Sequence, residues 1–262
     1  MTRFQIERVA NAVLNEHDCD APPIDVFVIA RAEGIELAAG NYGEDFCGRI
    51  EFHSSVGKFL LFYPDLTEDQ YPARVRFSVA HELGHYFLDQ HRELLIRGAA
   101  HNSTSDFICE DQLEREADEF AAALLIPGAL LKRRLTKRSF MTLAEILQTA
   151  QDCHSSATSA AIRYAQCTTE ACIVVVSERD KILFWVPSEE AAAIGFKFLT
   201  KERRVPIGSP TANIRAVHRE VRGGTSSSRQ WFPMRAVEVD LWEEAYTLGR
   251  TGRILTLLAM KN

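Results

Sequence analysis

No stretch of this sequence approaches the roughly 18 consecutive apolar residues that a bilayer-spanning helix requires. Its opening residues, Met1 to Asn15, carry charges throughout and lack the apolar middle of a secretory leader. Membrane insertion and export are therefore not expected. Cysteine is sparse and unpatterned. The six residues Cys19, Cys47, Cys109, Cys153, Cys167 and Cys172 form no C-x-x-C pair and no framework spacing. This argues against a disulfide-stapled module and a cysteine zinc ribbon, and for free thiols in a reducing cytoplasm. A surplus of positive charge is missing too. The net charge of −6 argues against broad non-specific DNA binding, though not against a local basic patch. What is present is ordinary for a globular chain: 46% hydrophobic and 25% charged residues, over a length of 262 that suits one large or two modest domains.

The chemistry concentrates in Arg74 to His91, R-V-R-F-S-V-A-H-E-L-G-H-Y-F-L-D-Q-H. It holds H-E-x-x-H as His81, Glu82 and His85. On a helix, residues four apart share one face, about 5–6 Å apart at Cβ, so the two imidazoles can grip one metal ion. Glu82 stands beside them, placed to take a proton from a water held there. Phe77, Val79, Ala80, Leu83 and Leu88 supply the apolar face, and Pro72 fits a first-turn position. The pattern is short, and two histidines on a helix do not by themselves make a site. A catalytic zinc needs a third protein ligand.

Two candidates exist. His91 has the spacing of a third ligand in H-E-x-x-H-x-x-G-x-x-H, but position 88 is Leu rather than a helix-breaking glycine. In an unbroken helix His91 would lie about 9 Å beyond His85 and on another face. Glu114 is the better candidate. It opens L-E-R-E-A-D-E-F-A-A-A-L-L-I-P, whose apolar positions 113, 117, 120, 121, 124 and 125 predict a helix. Asp118, four residues on, can accept a hydrogen bond from a ligand imidazole and fix its tautomer. The competing view of Glu114, Glu116, Asp118 and Glu119 is a solvated acidic face.

Together the two stretches resemble the ImmA/IrrE family of zinc-dependent metallopeptidases. Members show R-x-x-F-T-x-A-H-E-x-G-H and, further on, E-x-x-A-[ND]-x-F-A-A-x-L-L-M-P. Here Ser78 replaces the usual Thr, Ile126 precedes Pro127, and Asp89 stands where many members have a further His. The resemblance implies His81, His85 and Glu114 as ligands, Glu82 as general base and Asp118 in support. It implies an α+β fold: a zincin-like metallopeptidase core, a helix-turn-helix-like unit and a smaller mixed α/β C-terminal domain. It further implies zinc (Zn2+), with manganese or iron also compatible with the donors. The implied partner is a cytoplasmic repressor of the phage-repressor (XRE-type) helix-turn-helix class, whose cleavage would release stress or mobile-element genes.

The expected domains are residues 1–130, 131–168 and 169–262. Helices are expected over 4–14 and from a cap at Asp25 to near Gly34. Strands are expected over 35–39, 46–52 and 58–63, with 46–52 or 58–63 binding substrate in extended form. The polar link 91–111 could cover the cleft, with His101 either stabilising an oxyanion or simply exposed. Two short helices around Cys153-His154-Ser155 form the helix-turn-helix-like unit. Its second helix has one basic residue, Arg163, so direct DNA binding is disfavoured despite Lys132, Arg133, Arg134, Lys137 and Arg138 upstream. A-C-I-V-V-V-S and K-I-L-F-W-V-P predict a hairpin, with further strands over 196–199, 236–241 and 254–258. Gly223 to Arg229 reads as a loop, and Trp185, Trp231 and Trp242 as core. The rival function is a non-proteolytic regulator that binds DNA or a partner protein. The activating signal and the oligomeric state leave no mark in the sequence.

Overall fold

The structure is a computed structural model. It describes residues 1–19, 21–43, 46–65, 72–98, 103–104, 112–135, 140–196, 203–214, 221–233, 238–249 and 252–260. Its contacts divide the chain into two units. Met1–Gly128 and Asp152–Ser156 form the first, and Ala129–Gln151 and Ala157–Asn262 the second.

The first unit begins with α1 (Arg3–Glu16), closed at its N-terminus by a capping box between Thr2 and Gln5. Next comes α2 (Val26–Ala32), whose first amides at Phe27 and Val28 donate to the Asp25 side chain. Strands β1 (Glu36–Gly40), β2 (Phe46–His53) and β3 (Lys58–Pro64) follow. Then come α3 (Pro72–Phe87), α4 (Asp89–Ile96), the two-residue β4 (Ser103–Thr104) and α5 (Gln112–Leu125). The sheet order is β1-β3-β2-β4, with β1 parallel to β3 and the other pairs antiparallel. The hydrophobic K-F-L-L-F-Y strand is thus interior. With both edges paired, β3 has no free edge for a substrate, which leaves β2 of the two expected strands. Helix α3 packs on β2 and β3 and against α5, and α5 packs on α1. Val75, Val79, Ala80 and Leu83 of α3, and Ala117, Phe120, Ala121 and Leu124 of α5, are buried. Each such Val, Leu or Phe contributes about 1.5–3 kcal/mol by leaving water.

The second unit starts with α6 (Gly128–Leu135), α7 (Leu143–Asp152) and α8 (Ala157–Cys167). The α7–α8 pair is the helix-turn-helix-like element, with His154 between them in the left-handed region at φ +50°. The Leu143 amide, an orphan donor at the start of α7, reaches Glu244 Oε2 at 2.6 Å. The hairpin β5 (Cys172–Glu178) and β6 (Lys181–Pro187) turns at Arg179 and Asp180, as expected. Short helices α9 (Glu189–Ala193) and α10 (Pro210–Asn213) lead to β7 (Arg222–Ser227) and α11 (Ser228–Trp231). The chain then forms β8 (Asp240–Leu248) and β9 (Arg253–Met260). The antiparallel sheet runs β6-β5-β9-β8-β7. Ile173, Val175, Trp231, Phe232, Leu241 and Leu258 belong to its core.

The glycine- and serine-rich stretch that reads as a loop is in fact edge strand β7. Glycine suits it for a packing reason. A Cβ on Gly223 would lie 3.0 Å from Cζ2 of the Trp242 indole, which the bare backbone instead accommodates. The strand expected over 236–241 lies later, as β8.

Candidate metal centre

The first unit gathers His81, Glu82, His85, Glu114 and Asp118 at the crossing of α3 and α5. The i, i+4 spacing puts the imidazoles of His81 and His85 on one face of α3, ring centroids 4.9 Å apart and the rings edge to face. Gly84 lets α5 come close. A Cβ there would stand 3.1 Å from the Ala117 Cα and 3.2 Å from its carbonyl oxygen, so any side chain would push the helices apart. That approach sets Glu114, one turn before Ala117, over both rings. Gly48 of β2 has the matching role for Glu82, since a Cβ would lie 3.0 Å from the Glu82 Oε1. Glu82 is fully buried, and His81 and His85 nearly so.

Three side chains here form a group that could hold a metal: His81, His85 and Glu114. The two Nε2 atoms are 3.2 Å apart. Glu114 Oε2 lies 3.2 Å from His81 Nε2, and Glu114 Oε1 lies 3.3 Å from His85 Nε2. Donors at about 2.0–2.1 Å from one tetrahedral ion stand about 3.3–3.4 Å apart, because the tetrahedral edge is about 1.63 bond lengths. The two imidazole nitrogens stand close to the separation that a zinc-like ion needs, and the Glu114 carboxylate spans them with one oxygen against each. A charge-assisted imidazole–carboxylate hydrogen bond is shorter, about 2.7–2.9 Å. The contact of His81 Nδ1 with Asp118 Oδ1, at 2.8 Å, is of that second kind. Because a carboxylate only accepts, Asp118 holds a proton on Nδ1, so that Nε2 is the nitrogen that would meet an ion.

The electrostatics point the same way. Burial, the largest single influence on His81, favours its neutral form. The hydrogen bonds to Asp118 and Glu114 and the charge of Glu82 outweigh it, and push the imidazole up to about 10. Such a negative field favours a cation between the rings.

His91 departs from expectation. The helix is not continuous: Leu88 is extended (φ −81°, ψ 113°) and caps a new helix, α4. His91 therefore turns back to His85, ring centroids 5.0 Å apart, and is 1% exposed. Its Nδ1 is 3.1 Å from His85 Nδ1, and its Nε2 is 3.2 Å from Glu116 Oε2. The ring lies on the Nδ1 side of His85, away from the Nε2 triangle. Glu116 is also buried, and its Oε1 accepts from Gln112 Nε2 at 2.8 Å and meets the Met1 ammonium. Sequence reasoning missed both residues. His101 and most of the link around it lie outside the described residues.

Residues 66–163 match the family model for the IrrE N-terminal-like domain, Peptidase_M78. The ImmA/IrrE resemblance is borne out over that stretch, and the match supports a metallopeptidase-type function. No curated protein matches the chain. Among solved structures it is similar to a Mycobacterium tuberculosis transcriptional regulator. The TM-score is 0.63 at 12% identity, covering 98% of this chain and 76% of the other. At that identity the likeness concerns the fold alone. Among the described residues, no helix is long and apolar enough to cross a membrane.

Proposed function

We propose that the chain is a cytoplasmic zinc-dependent endopeptidase that cleaves a helix-turn-helix repressor of the XRE type. What carries this reading is the convergence of His81 Nε2 and His85 Nε2, 3.2 Å apart, with the Glu114 carboxylate, one oxygen against each ring, beside a fully buried Glu82. His81, His85 and Glu114 would hold the ion. Closed structural zinc sites prefer four Cys or His ligands, whereas two histidines and a glutamate leave a position open for water. Zinc at these donors supplies Lewis-acid polarisation of a water and a peptide carbonyl. Manganese or iron would suit the same donors less well.

Glu82 takes the proton of the attacking water and delivers it to the leaving amine. Gly48 leaves room for that carboxylate and puts β2 next to it. Strand β4 pairs with β2 at Phe46 and Gly48, and no described strand pairs with that edge beyond Gly48. A substrate backbone would add to it in extended form. Asp118 keeps His81 in the tautomer that binds the ion.

The second reading is a non-proteolytic regulator, as the Mycobacterium neighbour of similar fold is a transcriptional regulator. Base readout by α8 fits it poorly. Arg163, the single basic residue of that helix, is 2% exposed, and Arg134 upstream donates to Thr149 Oγ1 at 2.8 Å. A regulator of this kind would act through a protein partner.

Co-expression with each helix-turn-helix repressor encoded beside the gene separates the two. The expected result is a new repressor fragment that disappears with Glu82→Gln, while zinc stays bound. A fragment that persists in Glu82→Gln, or a biological effect indifferent to that change, would favour the regulator.

A further inference from the structure

We infer that His91 and Glu116 are positioning residues: a buried imidazole–carboxylate relay that holds His85 in the tautomer and orientation needed to bind the metal. The inference rests on the metal-centre reading above and adds to it a support for the second histidine, matching the one Asp118 gives the first.

A fixed chain of contacts settles where each proton of the relay sits. A neutral imidazole has one donor and one acceptor nitrogen. Glu116 Oε2, 3.2 Å from His91 Nε2, can only accept, so His91 carries its proton on Nε2. His91 Nδ1 is then an acceptor. It lies 3.1 Å from His85 Nδ1, so His85 must carry its own proton on Nδ1. The lone pair of His85 is left on Nε2, the atom that faces His81 Nε2 and Glu114 Oε1. Were Glu116 replaced by a donor, the proton order would reverse along the relay and put hydrogen where the ion should sit.

The path is rigid as well as ordered. His91 is 1% and Glu116 4% exposed, so water does not compete for either contact. Gln112, one turn before Glu116 on α5, fixes the other carboxylate oxygen. The break at Leu88 is what makes the relay possible, because a continuous α3 would carry His91 away from His85. Leu88 is itself fully buried, which anchors the break in the core. The two ligand histidines are thus supported differently. His81 has a direct carboxylate in Asp118, whose side chain is 41% exposed, and His85 has a buried relay. Outer partners of this kind alter metal affinity by about 10–100-fold when removed.

The test is zinc affinity of the folded full-length chain, by competition with a chromogenic chelator, together with the cobalt(II) absorption spectrum. His91→Phe keeps the ring volume and removes both nitrogens. It is expected to weaken zinc binding about 10–100-fold and to shift the cobalt band. His91→Gln, which can still accept and donate, should recover part of the loss. Glu116→Gln reads the same relay if His91→Phe does not fold, with an expected loss of about tenfold. Variants that fold and bind zinc as tightly as the parent, with an unchanged cobalt spectrum, overturn the relay even if their melting temperatures drop. A parent chain that binds no zinc overturns the relay and the metal centre together. One that binds zinc but cleaves nothing overturns only the peptidase.

Discussion

Glu243 in the second unit is as deeply buried as Glu82 in the first, at 0% exposure each, yet the groups around them differ in kind. Glu243 meets neutral donors. Its Oε1 accepts the Thr211 amide at 2.7 Å, and its Oε2 accepts the Ser226 hydroxyl at 2.6 Å and the Trp231 indole N–H at 2.8 Å. Those distances are ordinary, both oxygens are used, and the contacts tie α10, β7 and α11 to β8. In the first unit the acid at the gap is Glu114, its side chain 13% exposed, whose two oxygens face one imidazole nitrogen each at 3.2 and 3.3 Å while those nitrogens are themselves 3.2 Å apart, so that three possible metal donors converge. Burial of a carboxylate therefore does not mark a site. Burying the charge is costly in either place, and what distinguishes the two is whether neighbours discharge that cost with ordinary donors or with a gap shaped for a cation.

The sharpest way to break this contrast is to remove the acid that faces the gap. Glu114→Ala deletes one of the three donors, so zinc affinity should fall by well over the roughly 100-fold that outer partners reach. Unfolding free energy of the metal-free chain should fall by only about 1 kcal/mol, since the Glu114 side chain is partly exposed and its contacts with the two rings are long. Chelator competition and a urea melt measure the two quantities. An unchanged zinc affinity would place the ion elsewhere.

The complementary change is in the second unit. Glu243→Gln keeps the shape and one good acceptor, but turns an amide nitrogen towards a donor that had been satisfied. A buried unmatched donor costs about 1–3 kcal/mol, so the variant should lose about 2 kcal/mol of unfolding free energy. Zinc affinity should stay within about twofold, since none of the three donors belongs to the metal group. A loss of zinc binding as large as that of Glu114→Ala would dissolve the distinction between the two kinds of acid.

Which parts of this picture could be read in the sequence follows from the range of the interactions involved. His81 and His85 were legible because helical spacing alone puts them on one face. Glu114 and Asp118 were legible because a second helical period carried them, in an order shared with a known family. The α2 cap at Asp25 and the β5–β6 hairpin are local in the same sense. His91 was not legible. Leu88 has high helix propensity, and only burial of its side chain and the return of His91 onto His85 account for the break. Glu116 looked like one acid of a solvated face, because nothing nearby in sequence announces that His91 will cover it. Strand β7 was misread for a similar reason. Gly223 and Ser226 have weak strand preference by themselves, and the face of Trp242, nineteen positions on from Gly223, makes a glycine fitting there.

The finest test applies the exchange made at Glu243 in the second unit, acid to amide, to the metal centre of the first. Asp118→Asn leaves an oxygen that can still accept the His81 Nδ1 proton, so the tautomer is kept and only the charge is lost. The side chain is 41% exposed, which screens part of that charge. Zinc affinity should therefore fall by only about tenfold, the low end for an outer partner, and unfolding free energy should hardly move. If burial rather than partner chemistry governed the outcome, Asp118→Asn, being the more exposed change, would leave both quantities alone. A tenfold loss of zinc confined to the affinity measurement, set beside a stability loss without zinc loss in Glu243→Gln, would show the same chemical substitution read out in two different observables, each set by what the carboxylate faces.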